Sequence, residues 1–170
     1  MNANNLRIGH GYDVHKFSQQ EPVDAELKLR LAGVDIPYNR RLLAHSDGDV
    51  VIHSLCDAIL GALGAGDIGK LFPDSDARYK NIDSTELLNQ VVARAQQDHW
   101  HLVNADMTVV AQAPKLAPFI DAMRDRLAAC LLIDKTAVNV KATTSEGLGF
   151  TGRQEGIASY AVVLLGKSTS

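Results

Sequence analysis

Asp13-Val14-His15 is the first stretch of the chain in which residues suited to metal chemistry sit at a useful spacing. Residues two apart on a strand point to the same face, so this carboxylate and imidazole would stand side by side. Both suit zinc, which takes four ligands and at catalytic sites leaves one position open. Taken alone, a D-x-H triplet equally describes a surface Asp paired with a His. A third donor is offered by His45-Ser46-Asp47-Gly48-Asp49, followed by His53. His53 lies one helical turn after Asp49 and one before Asp57, so one of these carboxylates is expected to reach its second ring nitrogen, as metal-bound histidines require. The plainer account is a capped helix start with acids favoured by the dipole and a half-buried histidine. Cys56, three residues further on, reads as a small buried hydrophobe rather than a ligand.

Three further stretches could contact a ligand. Gly66-Asp67-Ile68-Gly69-Lys70-Leu71-Phe72-Pro73-Asp74 has glycines that let backbone amides approach a ligand and a carboxylate suited to hydroxyls. It lacks the phosphate-loop spacing, and a polar turn with Phe72 tucked inward also fits. The run from Lys141 to Arg153 leaves a strand and becomes rich in hydroxyls and glycine, with Glu146 available to a hard cation and Arg153 to an anion. Many such loops are only connections. Ala111-Gln112-Ala113-Pro114-Lys115 suits a shallow pocket or a strand-to-helix turn.

The elements that must position these residues follow from periodicity. Leu6–His15 reads as a strand containing Gly9 and Gly11, and Gln19–Glu26 as a polar loop. Leu27, Leu29 and Leu31 alternate with Lys28 and Arg30, and Gly33 permits a turn into Val34–Ile36, forming a hairpin. Ser46 or Asp47 is expected to cap a helix from Asp49 to about Leu63, with Val51, Leu55, Ile59 and Leu63 at helical spacing. Gly64–Asp76 is a loop and a candidate lid. Asp83 and Glu86 resemble a capping box opening a helix over Ser84–Gln97. Ala105–Ala111 alternates as a strand, and Pro118 opens a third helix to about Leu132. Val138–Ala142 and Ile157–Leu165 are strands, the latter apolar enough to be central. The fold class predicted is α/β of the α+β type, one domain over residues 1–170, with a mixed sheet and helices packed on one face.

The chain has 170 residues, 46% of them apolar and 22% charged, so it can bury a core without staples. The formal net charge is −3 with no basic block, which argues against nucleic acid or an anionic membrane as partner. A polyphosphate substrate would therefore need metal ions and a few placed cations. Cys56 and Cys130 form no C-x-x-C pair, Met1–Asn5 is polar, and no apolar run approaches the ~20 residues that span a bilayer. A reducing cytoplasm is expected.

In this order, IGHGYDVH, LLAHSDGDV, GDIGKLFPD, AQAPK, VNVKATTSEGLGFTGR and EGIA closely resemble the 2-C-methyl-D-erythritol 2,4-cyclodiphosphate synthases, from about Arg7 to Lys167. The resemblance implies a phosphorus–oxygen lyase of the methylerythritol phosphate route to isoprenoid precursors. It would convert a diphosphocytidyl-methylerythritol 2-phosphate to the cyclic diphosphate and CMP. It implies zinc on Asp13, His15 and His53, and a second ion, Mg²⁺ or Mn²⁺, on Glu146. His45 and Thr144 would stabilise the transition state. Substrate contacts would come from Asp13, Val14, His15, His45 and Ser46, and from Asp67, Ile68, Gly69, Phe72, Pro73, Asp74, Ser75 and Asp76. The nucleotide pocket would use Ala111, Gln112, Ala113, Pro114, Lys115, Leu116 and Ala117 with Ala142, Thr143 and Thr144, and Ser145, Glu146, Phe150 and Arg153 would contact substrate. The family is similar to a homotrimer with sites between subunits. The chain departs from the pattern in a longer Gln19–Leu29 segment, in Ala32-Gly33 where two glycines are frequent, and in Ser145 where a threonine is usual. Two other functions use the same residues: a zinc phosphohydrolase, and a nucleotide-binding module with a structural metal. Three good ligands rather than four favour an open, catalytic position.

Overall fold

The computed structural model describes residues 5–19, 28–73 and 75–168. Strands β1 (Leu6–Lys16), β4 (Trp100–Val110), β5 (Val138–Thr143) and β6 (Gly156–Lys167) form one sheet in the order β1-β6-β4-β5. β6 is antiparallel to both β1 and β4, while β4 and β5 run parallel. The sheet is mixed, and the strongly apolar β6 is central, as its composition predicts. The registers place His15 opposite Ile157, and Val110 opposite both Ala158 and Thr143. The C-terminal ends of β1, β4 and β5 therefore lie at the same end of the sheet.

Helices α1 (Val50–Leu63), α3 (Ser84–Gln97) and α4 (Ile120–Leu131) cover one face. Ala105, Met107 and Val109 of β4, Val138 and Val140 of β5, and Ile157, Ala161, Val163 and Leu165 of β6 are buried beneath them. α1 is buried on nearly every side because it lies between the sheet and α3. Its approach to β1 requires glycine: a Cβ on Gly9 would meet Ala58 O at 1.8 Å, and one on Gly11 would meet Ser54 O at 1.9 Å. The opposite sheet face keeps Ile8, Tyr12, Val14, Tyr160 and Val162 exposed.

The hairpin of β2 (Lys28–Leu31) and β3 (Val34–Pro37) stands apart from this sheet. Both turn residues have positive φ, Ala32 at 54° and Gly33 at 72°, as a two-residue type I′ turn demands. Asp49 secures that turn, accepting from Ala32 N–H at 2.8 Å and Gly33 N–H at 2.6 Å. The same carboxylate accepts from Val51 and Ile52 N–H and so caps α1. The cap is thus Asp49 rather than Ser46 or Asp47, whose side chains are engaged elsewhere. Asp83 caps α3 as expected, accepting from Thr85 N–H at 2.8 Å.

Four other elements differ from the sequence reading. β4 begins at Trp100, before its alternation becomes regular, with a register shift between Leu102 and Asn104. The short helices α2 (Ile68–Leu71) and α5 (Gly149–Gly152) lie within stretches read as loops. A 3₁₀ turn, Ala117–Phe119, carries Pro118 ahead of α4. Leu27 and Asp74 lie outside the described residues. No helix among those described is long and apolar enough to cross a membrane.

Candidate metal centre and substrate clefts

The end of β1 presents Asp13 and His15 on the face toward α1, and the first turns of α1 present His53 to them. Their ligand atoms converge: His15 Nε2 lies 3.0 Å from His53 Nδ1, His53 Nδ1 lies 3.2 Å from Asp13 Oδ2, and His15 Nε2 lies 3.5 Å from Asp13 Oδ2. Ligands about 2 Å from a tetrahedral ion stand about 3.3 Å from one another. These three atoms therefore occupy three vertices of a tetrahedron around an ion of zinc's size, and the fourth is left to solvent or substrate. Among the described residues they form a group able to hold a metal ion, and Cys56 does not join it. Cys56 is fully buried with its thiol pushed well up by burial, which suits a hydrophobe.

Burial pushes the Asp13 carboxyl up, but the His53 hydrogen bond and the charges of both histidines outweigh it and hold the group below its ordinary value. Burial likewise opposes a charged His53, while Asp13, Asp49 and Asp47 together raise it overall. Each shift favours close association of a carboxylate with the imidazoles, and a bound cation takes the place of the imidazole charge.

The second nitrogen of His53 is not met by Asp49 or Asp57, as its helical spacing suggests. Asp49 Oδ atoms are occupied by the four N–H groups of the cap and hairpin turn. Asp57 Oδ1 accepts from Ile68 N–H at 2.7 Å and anchors α2 to α1. Instead, His53 Nε2 lies 2.9 Å from Ser84 Oγ and 3.1 Å from Ser46 Oγ. Sequence alone marked Ser84 only as the start of a helix, since the contact joins positions 31 apart.

A cleft of about 310 Å³ opens beside this triad, lined also by His45, Ser46, Ile68, Gly69 and Phe72. Ala44, Tyr79, Ile82 and Leu87 complete its wall, residues the motifs did not indicate. His45 Nε2 is buried there without a hydrogen-bond partner among the described residues, a state that a phosphate oxygen would relieve. Phe72 is buried edge-on to Tyr79, with ring centroids 5.2 Å apart. Asp67 is exposed and caps α2 through Lys70 N–H at 2.8 Å. Pro73 and Ser75 are exposed, and Asp76 is turned to Arg78, 2.6 Å away.

A second cleft of about 290 Å³ lies at the far edge of the sheet. Its walls include Ala111, Gln112, Pro114, Lys115, Leu116 and Ala117 on one side and Ala142, Thr143 and Thr144 on the other. The stretches read as a nucleotide pocket are thus brought together, although Ala113 itself does not line it. Glu146, beyond β5, has positive φ and is exposed, and Thr144 Oγ1 donates to its carboxylate at 2.8 Å. It is not part of the metal-binding triad. Ser145 Oγ donates to Leu148 O and accepts from Thr151, so it braces the loop. Val14 and Phe150 border a third hollow with His15, and Arg153 pairs with Glu155 at 2.7 Å.

His15 and Thr143 stand at nearly the same level of the sheet but on its two opposite edge strands, three strand spacings or about 14 Å apart. Within one chain the metal triad and the second cleft are therefore separate.

The YgbB family matches residues 6–166. A Vibrio vulnificus 2-C-methyl-D-erythritol 2,4-cyclodiphosphate synthase is 56% identical over 160 residues, covering 94% of this chain and 98% of that protein. The synthase of Haemophilus influenzae strain 86-028NP is 55% identical with the same coverage. Among solved structures, the bifunctional IspDF of Campylobacter jejuni is 47% identical with a TM-score of 0.88. The match covers 96% of this chain and 42% of that one. IspF of Plasmodium falciparum in complex with CDP is 36% identical with a TM-score of 0.83, over 99% of this chain and 100% of that one. Matched along nearly its whole length in sequence and in fold, the chain belongs to the YgbB family of 2-C-methyl-D-erythritol 2,4-cyclodiphosphate synthases.

Proposed function

We propose that this chain converts 4-diphosphocytidyl-2-C-methyl-D-erythritol 2-phosphate to 2-C-methyl-D-erythritol 2,4-cyclodiphosphate and CMP, within the methylerythritol phosphate route to isoprenoid precursors. The observation that carries this reading is the triad of Asp13, His15 and His53, spaced for a tetrahedral ion with one position open and facing a cleft that contains an imidazole nitrogen unpartnered among the described residues.

The chemistry makes modest demands on side chains. A phosphate monoester has a second pKa near ~6, so the substrate's own 2-phosphate is an anionic nucleophile at neutral pH. One of its oxygens forms a bond to the β-phosphorus, the bond from that phosphorus to CMP breaks, and CMP leaves with the electron pair. No general base is needed. Bound zinc on the triad and a Mg²⁺ or Mn²⁺ ion at Glu146 would neutralise phosphate charge and clamp the reacting groups. His45 Nε2 would donate to a phosphate oxygen, and Thr144 would contact the diphosphate near the nucleotide. Ile68, Gly69 and Phe72 wall the cleft, and the 64–76 segment serves as a lid that keeps water from the diphosphate.

A homotrimer completes the site. Three chains with their exposed apolar sheet faces turned to a common axis bring the β1 edge of one beside the β5 edge of the next. The metal triad of one subunit then faces the nucleotide cleft of its neighbour, which the separation within one chain calls for. The reaction makes the enzyme a phosphorus–oxygen lyase. Two buried free thiols, Cys56 and Cys130, suit a reducing cytoplasm.

The test is a product assay by NMR on the purified protein with the diphosphocytidyl substrate. Cyclic diphosphate and CMP are expected in equal amounts, with turnover abolished in His53→Ala. CMP with methylerythritol 2,4-bisphosphate in place of the cyclic product would assign the triad to a phosphohydrolase, and CDP binding without turnover would make the chain a nucleotide-binding module.

A further inference from the structure

We propose that Ser84 and Asp47 are positioning residues that fix His53 as a metal ligand through Nδ1, an inference that rests on the reading of the triad as a zinc site. Ser84 has one hydroxyl proton. It donates to Asp47 Oδ1 at 2.5 Å, and the Ser84 backbone N–H donates to Asp47 Oδ2 at 3.0 Å, so the two residues are held by a paired contact. A carboxylate only accepts, so toward His53 the Ser84 oxygen offers a lone pair. Once a cation on the triad takes the place of the proton that Nδ1 would give to the Asp13 carboxylate, His53 Nε2, 2.9 Å away, carries the ring proton and donates it to Ser84. Nδ1, the nitrogen that faces His15 and Asp13, is then the ligand atom.

Asp47 is itself held. Asp49 N–H donates to its Oδ1 at 3.2 Å, and the Arg30 Nε lies 3.2 Å from its Oδ2. Arg30 also reaches Asp83 at 2.6 Å and Asp35 at 3.0 Å. The β2–β3 hairpin and the start of α3 thus converge on the second nitrogen of a ligand presented by α1. Among the described residues, Ser84, Asp47 and Arg30 reach the metal triad only through His53. Oriented imidazoles bind metal more tightly, and removing such an outer partner weakens affinity by about 10- to 100-fold.

The experiment compares metal-free wild-type protein, Ser84→Ala and Ser84→Thr by zinc competition against a chelator, with circular dichroism recording the fold. Ser84→Ala is expected to bind zinc about 10- to 100-fold more weakly at unchanged secondary structure, and Ser84→Thr, which keeps the hydroxyl, to recover most of the loss. A second measurement needs no variant. Nitrogen-15 NMR of histidine-labelled, zinc-loaded wild-type protein should show His53 with its proton on Nε2 and Nδ1 on the metal. Wild-type zinc affinity in Ser84→Ala, or a zinc-loaded wild type whose His53 ligates through Nε2, overturns the relay and leaves the zinc site standing. Wild-type protein that takes up no stoichiometric zinc overturns the zinc site itself, and the relay with it.

Discussion

Asp49 does at residue scale what the metal triad does at the site: one side chain gathers groups from distant parts of the chain. It is fully buried and accepts four backbone N–H groups, two from the hairpin turn and two from α1. Asp49→Asn replaces one acceptor oxygen by a donor facing those donors. The expected loss is about 3 kcal/mol in urea unfolding, the scale of charged hydrogen bonds left unmet; wild-type stability would show that the turn is held otherwise. Glu146→Gln acts on function instead. It should raise the Mg²⁺ concentration required for turnover while leaving zinc content unchanged, because an amide is a poorer ligand for a hard cation. An unchanged Mg²⁺ titration would remove Glu146 as the ligand. The triad was legible because strand period two puts Asp13 and His15 on one face and His53 sits on a recognisable helix. The support of His53 was not, because helical spacing names only neighbours along the same helix. Asp49 and Asp57 had that spacing but were taken up by backbone donors, and the partner came from another helix.

At the scale of elements, the site depends on how closely α1 lies on β1. Gly9 and Gly11 set that distance, since any side chain there would strike the backbone of α1. Gly11→Ala should force the two elements apart, costing about 3 kcal/mol by the usual scale of overpacking. It should also weaken zinc binding, because Asp13 and His15 ride on one element and His53 on the other. Unfolding and chelator competition on the same preparation check both effects; a variant as stable and as tight-binding as wild type would contradict the packing argument. Long amphipathic elements such as α3 and β6 were readable from periodicity. The start of β4 was hidden by the exposed Val103 and Asn104 beside its register shift, and α2 and α5, four residues each, have too few positions to show a period.

At the scale of the molecule, one face of the sheet is covered by helices and the other is left apolar. Ile8 is 74% exposed and Tyr12, Val14, Tyr160 and Val162 each more than 40%. A patch of this kind across β1 and β6 fits an association surface. Val162→Lys puts a charge there opposite Asp106, its cross-strand neighbour, so the sheet itself should tolerate the change. Sedimentation should show wild-type trimers and a variant of one third their mass that keeps zinc but loses turnover. A monomeric wild type, or a fully active monomeric variant, would contradict a site completed between subunits. The two halves of that site were each legible as motifs, but their placement on opposite edges of one sheet appears only once strand order is known. The claim that joins all three scales is that the substrate's own phosphate attacks and water is kept out. It is tested most directly by running the reaction in ¹⁸O-enriched water and examining the products by ³¹P NMR. Unshifted resonances for both the cyclic diphosphate and CMP are predicted; ¹⁸O in any phosphorus product formed by the enzyme would mean that water is the nucleophile.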